Sequence, residues 1–323
     1  GNTLNSKFQM RWRPTDDLLI RATYAEGFCA PAISDLFGGV GSSFEFYTDP
    51  CGVGAPGSVN GNAACTAAGV PAGYVQLGQA NVPCTALPCQ TNSPFLSGSN
   101  PNLAPETSTS KTAGIVWSPR WVDGLDLSLD WYDVKLDNTI ASDSVDSILN
   151  DCYVRGIASR CAGIVRNPNG SIQTMFFGLA NLGATRTEGY DLGVNYRLPE
   201  FSIGKFVIDW QTSYTSVYDT LADKDPATEW VGNVGYPGLF RVRSNFGVTW
   251  EKGDYGVSYM ARYYSGMKEN CASAPRPCND ADHLDQDGNA DPLNRTGSNV
   301  FHDLQFSVKL PWNATAALGA NNI

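Results

Sequence analysis

The sequence predicts an all-β fold, an antiparallel transmembrane β-barrel with about ten strands in this chain and long extracellular loops. Three observations predict it. Apolar and polar side chains alternate along segments of about ten residues, short and long connections alternate between these segments, and tryptophans gather beside the short connections. We therefore expect residues 1–323 to form one barrel segment.

The alternation has a period of two, the period with which successive side chains of a β-strand point to opposite faces. The clearest segment is 125–131, where leucine and tryptophan alternate with aspartate and serine. Such a strand presents one apolar and one polar face. The predicted strands lie in segments 4–12, 18–24, 110–117, 125–131, 190–196, 206–214, 240–250, 255–263, 304–310 and 314–320.

The connections between these segments fall into two classes. The short turns span residues 14–17, 119–124, 198–204, 251–254 and 311–313. The long loops span about 28–109, 136–178, 219–238 and 265–298. Outer-membrane barrels have short periplasmic turns and longer extracellular loops, so this sorting favours a barrel over a soluble sandwich.

Tryptophan placement gives independent support, because the indole ring prefers the boundary between an apolar and an aqueous phase. Of eight tryptophans, those in or beside the short turns are Trp12, Trp117, Trp121, Trp250 and Trp312. We interpret them as an aromatic girdle on the periplasmic side.

Composition excludes other classes of protein. The net charge is −10, and no cluster of lysine and arginine offers contacts to phosphates, which argues against a nucleic-acid partner. No stretch approaches the roughly 20 consecutive apolar residues of a membrane-spanning helix. Only 17% of the residues are charged, below the roughly 25% that is usual for soluble domains.

Nine cysteines without a CxxC pair indicate disulfides formed in an oxidising compartment. Eight lie in the long loops, where local pairing is the simplest connectivity. We expect Cys152 to join Cys161 and Cys271 to join Cys278. The first loop holds four more, whose pairing stays open: Cys51, Cys65, Cys84 and Cys89. The loops are rich in small and polar residues, so we expect little core within them. Closing a loop of about 15 residues contributes roughly 3 kcal/mol.

Catalytic and metal-binding residues are scarce, so we expect neither an enzyme nor a cofactor. Only His283 and His302 could act as bases near neutral pH, and His302 and Asp303 point to opposite faces of one strand. A weak calcium candidate is formed by Asp285, Asp287, Asn289 and Asp291. Gly288 takes the fourth place of that run, whereas an EF-hand requires glycine at the sixth, so we expect a solvated acidic loop.

Four stretches, in this order, resemble TonB-dependent outer-membrane receptors. They are RPTDDLLIRATYAEGFCAPAISDLF (13–37), NPNLAPETSTSKTAGIVWSP (100–119), NLGATRTEGYDLGVNY (181–196) and PWNATAALGANN (311–322). Cys29 stands where the family usually has arginine, and we expect it to be a free residue.

The resemblance implies a bacterial outer-membrane barrel of 22 strands, filled by an N-terminal plug that contacts the TonB complex. Residues 1–323 would then be a C-terminal part of it, roughly strands 12 to 21, without the plug and the closing strand. The implied function is uptake of a scarce solute: a siderophore, cobalamin, an oligosaccharide or a peptide. The alternatives are a passive ten-stranded channel and a secreted, disulfide-bonded β-protein that binds carbohydrate.

Polar residues on the inner face, near the outer ends of the strands, are the candidate ligand surface. They are Asp130, Tyr132, Gln211, Arg241, Arg243, Arg262 and Asp303. Charges of both signs together with a tyrosine can hold a polar solute by hydrogen bonds and stacking. The alternative is that these residues solvate the barrel wall and contact the plug.

Overall fold

The computed structural model describes residues 4–84, 86–221, 228–229, 231, 233–234, 239–269 and 295–323. Ten consecutive antiparallel strands form one sheet, which confirms the predicted class and order. The strands are β1 (Lys7–Thr15), β2 (Leu18–Cys29), β3 (Glu106–Trp117), β4 (Leu125–Asp137), β5 (Ala184–Arg197), β6 (Lys205–Leu221), β7 (Val242–Lys252), β8 (Tyr255–Tyr264), β9 (Asn299–Leu310) and β10 (Ala314–Asn321).

The register gives the sheet two chemically different faces. One row of directly paired residues runs Trp117, Leu127, Val194, Trp210 and Phe246 across β3 to β7. We call the side of this row the apolar face and the opposite side the polar face. Side chains alternate along a strand, so the residues between those of the apolar row belong to the polar face.

Five short connections join consecutive strands, as the sequence predicts. Gly253 has a φ of +57° in the two-residue turn between β7 and β8, a backbone conformation that glycine adopts readily. Trp117 and Trp121 contact edge to face beside another turn, with ring centroids 6.1 Å apart. The Trp250 indole donates a hydrogen bond to the Ile203 carbonyl at 2.7 Å.

The two outer strands of this order, β1 and β10, each pair with a single neighbour within the described residues. Every residue of both strands is exposed. An unpaired strand edge leaves backbone N–H and C=O groups without partners, which is strongly unfavourable in lipid. The sheet therefore presents two edges that can pair with further strands.

Residues 29–106 and 138–182 form a second compact unit, here called the loop unit. Its helices are Ile33–Phe37, Ala63–Ala67 and Val145–Leu149, with a π-turn at Asn150–Val154 and 3₁₀ turns at Gln79–Asn81 and Ala158–Cys161. Its short strands pair as Val40–Ser43 with Phe95–Gly98, Phe46–Tyr47 with Cys89–Gln90, Ile140–Ser142 with Leu179–Asn181, and Val165–Arg166 with Ile172–Thr174.

Four further short strands lie in the other two long connections: Thr228–Glu229, Asn233–Val234, Met267–Glu269 and Arg295–Thr296. Among the described residues, no helix has both the length and the hydropathy that crossing a bilayer requires.

The loop unit has a hydrophobic core of its own, so the expectation of little core in the loops was wrong. Tyr47, Phe95, Leu149, Ile172 and Met175 are fully buried there. Both connections contribute side chains to one shared core. Packing and disulfides therefore stabilise the loop unit together.

Three disulfides lie in the loop unit. Cys152 joins Cys161 as predicted, and the four cysteines of the first loop pair as Cys51 with Cys65 and Cys84 with Cys89. Cys29 is free and exposed. The predicted pair Cys271 and Cys278 lies outside the described residues.

A buried ion pair links the two connections within the loop unit. Arg166 Nη1 and Asp49 Oδ2 are 2.7 Å apart, with side-chain exposures of 3% and 0%. The guanidinium also donates to the Tyr153 hydroxyl at 2.9 Å and lies over its ring. Burial disfavours its charge, but the bonds to Asp49 outweigh burial and raise the pKa of Arg166 above its ordinary value. Arg166 therefore stays charged inside the loop unit.

Replacing Asp49 by alanine leaves a buried guanidinium without a counter-charge. We expect the loop unit to lose about 3 to 5 kcal/mol of stability, measured as the opening free energy from hydrogen exchange of its amides. Asp16→Ala, which removes the exposed partner of Arg120, is the control and should leave stability almost unchanged. Equal losses in the two variants would contradict a special contribution from the buried pair.

Candidate functional site

The polar face carries most of the residues that the sequence singles out. Asp130 and Arg243 lie in one register row, which runs Asp130, Asp191, Ser213, Arg243 and Tyr264 across β4 to β8. Gln211 and Arg262 lie in the adjacent row of the same face, both paired with Asn245. The alternation therefore places these side chains together on one face of the sheet.

Asp130 forms an ion pair across an intervening strand. Arg21, on β2, donates from Nε and Nη2 to the two Asp130 carboxylate oxygens at 2.9 and 2.6 Å. Strand β3 lies between β2 and β4, and Gly114 is its residue opposite Asp130. A Cβ on Gly114 would lie 1.8 Å from Asp130 Oδ1. The absence of a side chain at Gly114 is what lets the aspartate reach Arg21.

A second group of residues lies at the ends of β7, β8 and β9, where the two last long connections begin and end, and Phe240 precedes β7 there. The Phe240 and Tyr264 rings are 5.0 Å apart, and the Tyr264 and Phe301 rings 5.8 Å. Arg243 is directly opposite Tyr264 in the register. We call this group, together with Arg262 and Asp303, the aromatic–arginine cluster.

Arg262 connects the aromatic and ionic parts of the cluster. Its Cζ lies 5.7 Å from the centroid of the Phe301 ring, and its Nη2 donates to Asp303 Oδ1 at 3.1 Å. The Asp303 carboxylate also accepts the backbone N–H of Asn322 at 3.0 Å. The Asp303 carboxylate and the Phe301 ring thus hold the Arg262 guanidinium in place on the polar face.

Three predicted ligand residues have contacts outside this cluster. The Tyr132 hydroxyl occupies the space above Gly189, and Gln211 lies beside Gly193, where added Cβ atoms would meet them. Arg241 donates to the Ser216 carbonyl at 3.2 Å. The structure therefore brings together Arg243, Arg262 and Asp303, whereas Asp130 contacts Arg21 instead.

The sequence reading missed three members of the cluster as ligand candidates: Phe240, Tyr264 and Phe301. Phe301 shares the parity of Asp303 within β9, so alternation alone places it on the polar face. An aromatic residue at a polar position of the alternating pattern, such as Phe301, was the sequence signal that could have identified a member of the cluster.

Among the described residues, the one histidine lies away from the carboxylates of the polar face. His302 shares a hydrogen bond of 2.7 Å with the Tyr259 hydroxyl, and both belong to the apolar face, away from Asp303. Within the described ranges, no group of three metal-ligating side chains occurs. The calcium candidate Asp285, Asp287, Asn289 and Asp291, and also His283, lie outside those ranges.

A comparison with protein families matches all of residues 1–323 to one family, described as TonB-dependent receptor-like β-barrel. None of the curated proteins compared matches the chain in sequence.

Solved structures share the fold at low sequence identity. The ferric enterobactin receptor of Pseudomonas aeruginosa aligns with a TM-score of 0.58 at 14% identity, over 99% of this chain and 34% of its own. A siderophore receptor of Acinetobacter baumannii gives 0.55 at 14% identity, over 99% and 36%. The FrpB iron transporter of Neisseria meningitidis gives 0.53 at 10% identity, over 99% and 33%. The chain thus spans about a third of each, and identities this low show the fold alone.

Substituting Gly114 tests the ion pair between Arg21 and Asp130. Alanine in a strand interior normally gains roughly 0.5 to 1 kcal/mol over glycine. At Gly114 we expect this gain to be cancelled, because the added methyl group displaces the Asp130 carboxylate. The free energy of unfolding in urea, in detergent micelles, measures the difference.

Gly247→Ala in β7 is the matched control, because its Cβ would meet no atom closer than 3.7 Å. It should show the full gain. In an Arg21→Ala background, where no ion pair remains to be lost, Gly114→Ala should recover part of the gain. Identical effects of the two glycine substitutions in the unmodified background would refute the role assigned to Gly114.

Proposed function

Because the chain belongs to the TonB-dependent receptor family of the bacterial outer membrane, we propose that it is part of a receptor that takes up a scarce solute with energy from the TonB complex. The apolar face contacts outer-membrane lipid and the polar face lines the barrel interior. A plug and further strands, outside residues 1–323, complete the barrel. The unpaired edges of β1 and β10 support this, because strands in lipid require paired edges.

The aromatic–arginine cluster is the observation that supports solute binding. It lies at the strand ends that carry the long connections, which face the outside in a barrel of this class. Arginine binds anionic groups and stacks on planar ones, and aromatic rings supply apolar contact area. Arg262 is paired with Asp303, but Arg243 has no acidic partner among the described residues, so an anionic solute with planar or aromatic parts suits this surface better than a neutral sugar.

Ferric siderophores are the solute class that we favour, ahead of cobalamin, oligosaccharides and peptides. Many carry negative charge on planar chelating groups, which fits Arg243 and Arg262 beside Tyr264 and Phe301. Receptors for siderophores are also among the proteins that share the fold. A passive ten-stranded channel fits less well, since ten strands with two free edges do not close. No catalytic step forms part of the proposal.

Growth experiments test the function. A strain that lacks the gene should grow more slowly than its parent when iron is supplied only as a ferric siderophore, and equally well when sugar is limiting. Loss of the TonB complex should abolish uptake in the parent strain. Uptake that persists without that complex would favour the passive channel, as would an intact polypeptide of the length of this chain.

Binding variants test the site. We expect Arg262→Gln and Phe301→Leu each to weaken siderophore binding by about tenfold, the equivalent of one good charged or stacking contact. Quenching of tryptophan fluorescence on the receptor in detergent measures the dissociation constant. Phe306→Leu, on the apolar face of the same strand, is the matched control and should bind normally. Unchanged affinity in both cluster variants would exclude this surface as the binding site.

A further inference from the structure

A recess lies on the polar face of the first five strands, apart from the aromatic–arginine cluster on β7 to β9. Its volume is about 690 Å³, within the range of small-molecule sites, which is roughly 300 to 1,000 Å³. The polar side chains that line it are Gln9, Arg11, Arg21, Thr23, Thr112, Asp130, Tyr132 and Asp191. Hydroxyl, amide and guanidinium donors thus converge on one concave surface.

Two arginines face each other in this recess. Arg11 on β1 pairs directly with Arg21 on β2 in the register, so both side chains lie on the same face. Like charges directly opposite each other in a sheet are destabilising. The bidentate contact with Asp130 neutralises Arg21. The positive charge of Arg11 remains, beside an arginine that already has a counter-charge.

Arg11 has no acidic partner within the part of the chain that the structure describes. No ion pair or side-chain hydrogen bond joins it to another of these residues. Asp191 also lines the recess, but it lies on β5, four strands away, or about 19 Å at a strand spacing of about 4.8 Å. Across an aqueous interior, that distance exceeds the roughly 10 Å over which charges act at ordinary ionic strength. Asp191 accepts the Ser213 hydroxyl instead.

We propose that this recess is a binding site for an oxyanion, a carboxylate or phosphate group of a small solute, held by Arg11 with Arg21 beside it. A guanidinium presents two parallel N–H donors that match the oxygens of such a group. The anion compensates the positive charge of Arg11, which the contact of Arg21 with Asp130 leaves unpaired. The surrounding hydroxyl and amide groups offer further hydrogen bonds to it.

This site goes beyond the proposed function, because it involves different strands and does not depend on the identity of the transported solute. An acidic side chain from polypeptide inside the barrel is the competing occupant. The volume of the recess fits a small solute that carries such a group.

Isothermal titration of the intact receptor, purified in detergent, tests the proposal with citrate and inorganic phosphate as separate probes. We expect saturable binding of at least one of them with a stoichiometry of one. Citrate binding alone would identify a carboxylate site, and phosphate binding alone a phosphate site. Arg11→Gln should weaken that binding by about tenfold or more, and Arg11→Lys by less, since it keeps the charge but loses the planar donor pair.

Arg197→Gln is the matched control. It removes the same charge from the polar face of β5, at the turn and outside the recess, and should leave anion binding unchanged. If Arg11→Gln and Arg197→Gln weakened anion binding equally, the binding would depend only on general surface charge, and the proposal would be overturned. The absence of saturable binding would also overturn the proposal. In that case an acidic side chain of the polypeptide inside the barrel would be the partner of the two arginines. Siderophore binding by Arg11→Gln shows separately whether the proposed function holds.

Discussion

One constraint governs the large sheet: each strand must keep its backbone fully hydrogen-bonded while showing apolar groups to lipid and polar groups to water. The consequence is visible in the pairing of Leu127 with Val194 and of Asp130 with Asp191, which alternate along the same two strands. Polar groups on the apolar face need partners there. The Thr212 and Ser244 hydroxyls hydrogen-bond to each other at 2.7 Å, and the Trp210 indole donates to Ser244. Tyr259 and His302 satisfy each other in the same way.

The loop unit obeys a different constraint, because its paired strands are only two to four residues long. Small irregular units of this kind need a core, cross-links or both. Here the core around Leu149 and Phe95, three disulfides and the buried pair of Asp49 with Arg166 act together. The ion pair is weak evidence for stability by itself, since desolvation opposes it. Its position between two distant chain segments instead makes the arrangement of those segments specific.

The alternating pattern predicted all ten strands but only part of their length. Strand β4 continues from Trp131 to Asp137, and there the apolar face itself becomes charged. Arg186 of β5 contacts Asp133 at 2.9 Å and Glu188 at 2.8 Å on that face. The two consecutive aromatic residues Trp131 and Tyr132 shift the phase of the alternation, so Val134 and Leu136 lie on the polar face. The pattern of 125–131 could not be extended through this point, although the backbone ladder continues. The bond of Arg21 to Asp130 could not be predicted either, because it joins strands that are not neighbours.

Glycines on the polar face decide which of its long side chains can meet. An added Cβ at Gly114 would strike Asp130, one at Gly189 would strike Tyr132, and one at Gly193 would strike Ser128. In each case a side chain from one strand lies across the bare backbone of the next. Once the sheet has formed, such contacts cost side-chain but no further backbone conformational entropy, because the strands already hold the backbone. Glycine positions therefore determine the contacts on the polar face as much as the charged side chains do. This is why Arg21 can be neutralised from two strands away while Arg11, its direct neighbour, keeps its charge available.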